Sequence, residues 1–410
     1  VDLFERLPTP YGLLRSGVAP DHQNIKAIRH KFARTAASVR IRFFGGVQIG
    51  RDLSVEALRE QYDALLIATG CEDDRPLGIP GEALPGVHSA TDFVCWYNGH
   101  PDHSAAFEAL GRARRVVVIG NGNVAVDVAR LLLRAPASLA ATDISAPALR
   151  ALGEGSVESV HLVGRRGPEE AAFTQSELDE LLELDGVSVS AAPPPEASEG
   201  ARSASIALAC GRAGPAARRL HLEFSASPTE LLADDQGRLR AVCLRRNRLL
   251  REGGRVVPVP TEERWEEPCE LLLRAIGYRG VPIPGLPTTA EGIVQNEGGR
   301  VIDAAGAPIP GLYVTGWARR GPVGLIGGCR PDAQEVVEAL LADLPGAATD
   351  RAPPDPEALL RAQGHPWVSW AGWERIDHEE LRLGALHGKP REKLVSWGAL
   401  LAVAKDAGSL

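Results

Sequence analysis

An unbroken apolar strand that runs into two glycines and then into an apolar helix constrains this chain more than any other stretch. Val116-Val117-Val118-Ile119-Gly120-Asn121-Gly122-Asn123-Val124-Ala125 reads as strand, G-x-G-x-x-A turn and helix start, with the helix predicted over 124–133. A dinucleotide site needs this order. Gly120 permits the tight turn and Gly122 lets backbone approach a pyrophosphate. Ala125 allows close helix–strand packing, and the helix N-terminus supplies positive potential to Asn121, Asn123 and Val124. The next predicted strand, 159–163, ends in Gly164-Arg165-Arg166. An acid there would take the ribose hydroxyls of NAD. The planar fork of arginine suits a 2′-phosphate instead, so NADP is the expected nucleotide.

The remaining pattern alternates strands with helices, which points to α/β with a mostly parallel sheet. Strands are predicted at 1–5, 42–49, 62–68, 220–224, 239–247, 255–260, 271–276 and 312–315. Helices are predicted at 24–37, with Ile25, Ile28 and Phe32 on one face, and at 55–61, 173–184 and 331–344, with a helical turn at 93–96. The Ala/Pro/Ser/Gly stretch 191–216 reads as loop or partly disordered. Strand 1–5 ends in Glu5, as the second strand of a dinucleotide-binding βαβ unit would. Its matching first strand and glycine turn would lie about 30 residues upstream. The chain starts at Val1 and contains no Met, so the expectation is that the true N-terminus is missing. Segments 62–70 and 311–317, each a buried strand closing on small residues, fit this same second domain. The expected fold is therefore two doubly wound dinucleotide-binding domains, the NADP domain inserted into the other. The boundaries are 1–105 and 285–345 for the two parts of the outer domain, 106–284 for the inserted one, and 346–410 for a C-terminal tail packing on the outer domain.

Several function classes are excluded. At 410 residues the chain can bury large cores. No run approaches the roughly 20 apolar residues of a membrane span. A net charge of −8 disfavours a nucleic-acid binder held by phosphate contacts. The six cysteines form no C-x-x-C pair, and no His/Cys/Asp cluster has metal-ligand spacing, so no metal is expected. Scattered thiols and no visible signal peptide suggest a reducing, cytoplasmic setting.

PTPYGLLRSGVAPDH (8–22), YDALLIATG (62–70), FVCWYNGHP (93–101), VVVIGNGNVAVDVARLLL (116–133), HLVGRRGP (161–168), AAFTQSELDEL (171–181), AIGYRGVPIPGLP (275–287), GWARRGPVGLIGG (316–328) and GKPREKL (388–394) resemble the adrenodoxin reductase-type NADPH–ferredoxin reductases, bacterial branch. The resemblance implies FAD as cofactor, NADPH as hydride donor, and a ferredoxin or adrenodoxin-like iron–sulfur protein taking single electrons. It places Glu5 on the FAD adenosine ribose, and Leu13 and Ile49 against FAD. Trp317, Gly324, Leu325 and Ile326 would line the flavin. Gly120 to Val124 would bind the NADP pyrophosphate, Arg165 and Arg166 its 2′-phosphate, and Glu177 a neighbouring ribose or amide. His22, Asp127 and Glu180 match polar positions near the flavin–nicotinamide junction. Each has a second reading: His22 as a helix cap, Asp127 as a partner of the helix dipole, Glu180 as a solvated helix residue, Trp317 as core. Arg218, Arg219, Arg245, Arg246 and Arg248 could steer an acidic ferredoxin. Two further functions compete: the NADPH-oxidising flavoprotein subunit of a glutamate synthase-like complex, and, were Val1 the true start, an NADP-binding chain without flavin.

Overall fold

The computed structural model describes residues 1–103, 107–193, 200–212, 216–324, 326–344 and 354–405. Its largest sheet has six strands in the order Val87–Ser89, Leu271–Arg274, Arg115–Ile119, Ser159–Val163, Arg218–Glu223 and Val187–Ala192. Every neighbouring pair in it is parallel. Alternation along the strand Arg115–Ile119 explains why it is apolar throughout. Val116 and Val118 face the helices Asn123–Leu133 and Gln175–Leu182, while Val117 and Ile119 pack on the opposite face against Leu231, Val242 and Leu244. Each valine at 116–118 is fully buried, worth about 1.5–3 kcal/mol apiece relative to exposure. The cover on that second face is a three-stranded antiparallel sheet, Ala226–Ala233, Leu239–Glu252 and Arg255–Pro268.

The second unit is built from two smaller sheets. Asp2–Glu5 runs parallel to Arg42–Gly45. Leu65–Ile67 runs parallel to Pro308–Val314, which continues antiparallel into Arg300–Ile302 and Asn296–Glu297. Side chains rather than backbone join the two: the Tyr62 hydroxyl donates to Asp2 at one end, and Arg6 Nε lies 3.4 Å from Glu72 at the other. Among the described residues, Asp2–Glu5 and Leu65–Ile67 each pair on one edge only. The tail adds the helix Trp370–Leu386. It is tied to the outer unit by Val368, whose N–H and C=O both pair with Gly45 at 2.8 Å, and by Trp373, edge-on to Tyr11. It also touches the inserted unit, because Lys389 Nζ donates to the Ile144 carbonyl at 2.9 Å.

Four expectations are corrected. Within 191–216 lies the helix Ala201–Cys210, which buries Ser203, Ile206 and Ala209 at helical spacing; its small residues pack closely, a property hidden by a loop-like composition. Residues 194–199 and 213–215 fall outside the described residues. The predicted helix 24–37 is two helices, Gln23–Lys26 and Arg29–Ala36, and Ile25, Ile28 and Phe32 stay exposed while Lys26 is buried. The strands predicted at 239–247 and 255–260 run on to Glu252 and Pro268, the one predicted at 271–276 stops at Arg274, and Ala226–Ala233 was not foreseen. Finally, the six-stranded sheet takes its edge strand Val87–Ser89 from before residue 106.

Candidate functional site

At the carboxyl end of Arg115–Ile119 the chain turns at Gly120 with φ 137°, and a Cβ there would lie 2.1 Å from the Ala275 carbonyl oxygen. Only glycine fits. Gly122 caps the helix Asn123–Leu133 without a side-chain hydrogen bond, and no acid occupies the first turn, so its leading N–H groups keep their positive potential. Asn121 packs against Gly164, and its carbonyl accepts from the Ala172 and Phe173 N–H groups at 2.8 and 3.0 Å. Its side-chain Oδ1 is buried without a partner. Asn123 Oδ1 accepts from Thr174 N–H at 2.8 Å. Val124 packs beside the core. Arg165 and Arg166 follow the adjoining strand with their backbones anchored by Asn247 and Ser225, and neither guanidinium has a partner among the described residues. A glycine turn, a helix N-terminus and two uncommitted guanidiniums fit a phosphorylated dinucleotide.

One turn deeper the structure gathers His22, Asp127, Glu177 and Glu180 around a residue the sequence reading missed. Arg130 is 1% exposed. Its NH1 donates to Glu180 at 2.8 Å and Glu177 at 3.3 Å, and its NH2 to Asp127 at 2.6 Å and Asp21 at 3.0 Å. The signal was a single arginine inside an otherwise apolar helix. His22 stands at the N-cap position of Gln23–Lys26 but its ring does not cap; Nε2 lies 3.0 Å from Glu180 and Nδ1 3.9 Å from Glu177. Glu180 is half-exposed yet committed to two partners, which sets aside its reading as a merely solvated residue. Asp127 is the fifth helix residue, beyond the first turn, so Arg130 rather than the helix dipole is its partner. Burial, reinforced by Glu177, pushes its carboxyl up to about 7. The ligand atoms of His22, Glu177 and Glu180 lie within 4.8 Å of one another, but the Arg130 guanidinium already supplies the positive charge both carboxylates need.

At the outer unit, Glu5 ends its strand with Oε1 accepting from Leu7 N–H at 3.0 Å, and burial pushes its carboxyl up to about 7. Leu13 opens a short exposed helical turn, and Ile49 packs between two apolar clusters. Trp317 follows Gly316 (φ 68°), lies tilted at 36° with its ring 5.5 Å from that of Tyr278, and buries an indole N–H with no partner among the described residues. Tyr278, also missed, carries the link inward: burial pushes its hydroxyl up to about 12, with Asp127 adding to the shift. Gly324 is exposed with φ 84°. Ile326 begins a 3₁₀ turn, and Leu325 lies outside the described residues. The orphaned indole N–H and the strand-end carboxylate fit the two ends of FAD. Of the predicted basic cluster, Arg218, Arg245 and Arg246 are spent on internal partners, which leaves Arg219 and Arg248 exposed.

Comparison with known proteins agrees with this geometry. Residues 13–207 match the model of the pyridine nucleotide-disulphide oxidoreductase family. The mitochondrial NADPH:adrenodoxin oxidoreductase of Arabidopsis thaliana is 41% identical, over 99% of this chain and 90% of that protein. NADPH-ferredoxin reductase FprA of Mycobacterium tuberculosis is 43% identical, over 98% and 92%. The structure of the latter enzyme in complex with NADPH superimposes with a TM-score of 0.91 at 42% identity, again covering 98% and 92%. The chain belongs to the family of adrenodoxin reductases and NADPH–ferredoxin reductases.

Proposed function

We propose that this protein oxidises NADPH, taking a hydride onto FAD and passing electrons singly to a ferredoxin or adrenodoxin-like iron–sulfur protein. The observation that carries this reading is the pairing of the Gly120 turn, which no other residue fits, with the free guanidiniums of Arg165 and Arg166. The names and activities of the relatives support the choice of reaction. FAD, when bound, supplies the step between two-electron and one-electron chemistry. The chain supplies position and electrostatics. Arg165 and Arg166 select the 2′-phosphate, and Gly120 to Val124 hold the pyrophosphate. Glu5 holds the adenosine ribose of FAD, Leu13 and Ile49 its flanks, and Trp317 with Gly324 closes the flavin edge against water. Passing on both electrons of a hydride releases its proton, and His22 and Asp127, joined through Glu180, Glu177 and Arg130, are the titratable groups placed to hold or hand on a proton there.

In domain terms we propose an outer FAD unit, 1–105 with 285–345, that lends Val87–Ser89 to an inserted NADP unit, 106–284, and a tail, 346–410, that bridges both. We also propose a cytoplasmic location, supported by six free thiols; no helix among the described residues is long and apolar enough to cross a membrane. The test is an anaerobic titration of the FAD-supplemented protein with NADPH, followed by oxidised ferredoxin. Bleaching of the flavin bands, then reduction of the iron–sulfur chromophore, is expected. Equal bleaching rates with NADH and NADPH would refute the assignment of Arg165 and Arg166.

A further inference from the structure

Away from both nucleotide sites, three parts of the chain meet around a cluster of cations, most of them buried. Arg15, Lys26 and Arg29 come from the N-terminal helices, and Arg391 and Lys393 from the tail; all five line one cavity with Asp143 of the inserted unit. Lys26, Arg391 and Lys393 are 3–4% exposed. Asp143 accepts from Lys26 Nζ at 2.7 Å and lies 3.1 Å from Lys393 Nζ. Glu380, fully buried, accepts from Arg15 at 2.8 Å and from Arg391 at 2.7 Å, and Asp377 accepts from Arg391 NH2 at 2.5 Å. Nearby Lys389 and Glu392 neutralise each other at 2.5 Å. Five basic groups thus face three carboxylates, although burial works against the charge of Lys26 and more strongly against that of Lys393.

Two further observations point to a ligand. Arg391 Nε is buried and has no hydrogen-bond partner. The guanidinium of Arg29, which lines the same cavity, has no partner among the described residues. Burial and the neighbouring Arg391 both oppose its charge. Isolated buried charge is costly and is ordinarily paired. The enclosed space at the centre, about 20 Å³, has room for one small species of the size of a water or a monatomic ion.

We propose that this cavity is a binding site for a monatomic anion, chloride in cell-like media, held between Arg29 and Arg391. Bound there, the anion ties the tail to both nucleotide-binding units. It also steadies the helix Gln23–Lys26, whose N-cap is His22. None of the lining residues belongs to the nucleotide sites, so the inference stands apart from the proposed reaction.

The experiment is thermal unfolding of the full chain in sodium chloride, sodium bromide or sodium gluconate at matched ionic strength, for the unaltered protein, Arg29→Gln and Arg29→Lys. Arg29 is partly exposed and has no hydrogen-bond partner among the described residues, so its replacement leaves the fold intact. The expected result is a saturable rise in Tm with chloride and bromide and none with gluconate. Half-saturation should weaken at least ten-fold in Arg29→Gln and be largely kept in Arg29→Lys. Identical responses to chloride and gluconate would overturn the proposal, as would a chloride response surviving unchanged in Arg29→Gln, which would place the anion elsewhere, for instance at Arg165 and Arg166. A chloride-independent rise in stability between pH 7 and 9 would also overturn it, because the charge of the cluster would then be relieved by proton loss from Lys26 or Lys393.

Discussion

Asp127→Asn tests the charge state that the network around Arg130 imposes. The Asp127 carboxyl is held at about 7 against an ordinary 3.8, chiefly by burial and next by Glu177. The folded value lies above the unfolded one, so the folded state binds the extra proton. The contribution is fully present below about pH 4 and is lost as pH rises through about 7. About three units at 1.36 kcal/mol each set a ceiling of about 4 kcal/mol. The proton is shared among carboxylates that meet at one guanidinium, so we expect about half of that from a single substitution. The amide keeps an acceptor for Arg130 NH2 and cannot ionise. At pH 8 the variant should be more stable than the unaltered protein by about 2 kcal/mol, or roughly 2–3 °C in Tm for a chain of 410 residues. At pH 5 the native carboxyl is neutral but the unfolded one is already ionised, so the variant's advantage should shrink to under about 1 kcal/mol, and it should vanish only below about pH 4. The assay is thermal unfolding by circular dichroism at pH 5, 6, 7 and 8 and constant ionic strength; the difference between the proteins cancels every other titrating group. A variant that is destabilised equally at pH 5 and pH 8 refutes the reasoning. The 2.6 Å contact to Arg130 would then be an ordinary ion pair, present throughout the range.

Replacing Arg165 and Arg166 together by alanine should raise KM for NADPH about 10- to 100-fold, from the roughly 1.5–3 kcal/mol of a charge-assisted phosphate contact, and leave KM for NADH unchanged; steady-state kinetics with both donors decides it. Gly120→Ala puts a methyl group against the Ala275 carbonyl at a positive φ and should cost roughly 2–4 kcal/mol, read as a lower Tm together with loss of NADP⁺ binding in calorimetry. Glu380→Gln removes the carboxylate shared by Arg15 and Arg391 and should destabilise by about 3–5 kcal/mol, visible as a lower denaturation midpoint in urea.

What the sequence made legible was whatever depends on local pattern. The strand Arg115–Ile119, the turn at Gly120 and the strand Ser159–Val163 could be placed from apolar runs and glycines, because their geometry is fixed within a few residues of chain. The helix Ala201–Cys210 was not legible, since alanine and serine signal helix only once something packs against them. The exposed Ile25, Ile28 and Phe32 mark the opposite failure: apolar spacing was right for a helix, and the buried residue on that segment was a lysine paired 117 residues away. In the site, His22, Asp127, Glu177 and Glu180 could be named singly, but not their convergence. Arg130 and Asp21 went unnamed because a guanidinium amid leucines looks like an anomaly until its four carboxylates arrive from three separate segments.

That convergence bears on how two nucleotide-binding units keep one geometry. Apolar packing between them would tolerate sliding, because it has no direction. Arg130 stands seven residues after Asn123 on the same helix, about 10 Å along its axis at 1.5 Å per residue. The helix N-terminus, proposed to face a pyrophosphate, and the guanidinium that grips Asp21 and, through Glu180, His22 are therefore fixed points on one rigid rod. Asp21 is gripped a second time by Arg134, one turn further on, at 2.6 Å. One arginine within the helix and another at its C-cap, closing on one carboxylate of the other unit, set both the tilt and the rotation of the rod. On the proposed assignment, a hydride donor bound at the helix N-terminus would thereby be held in register with the His22 loop. The buried charges are costly in stability, and what they secure is orientation at the point where the two units must meet.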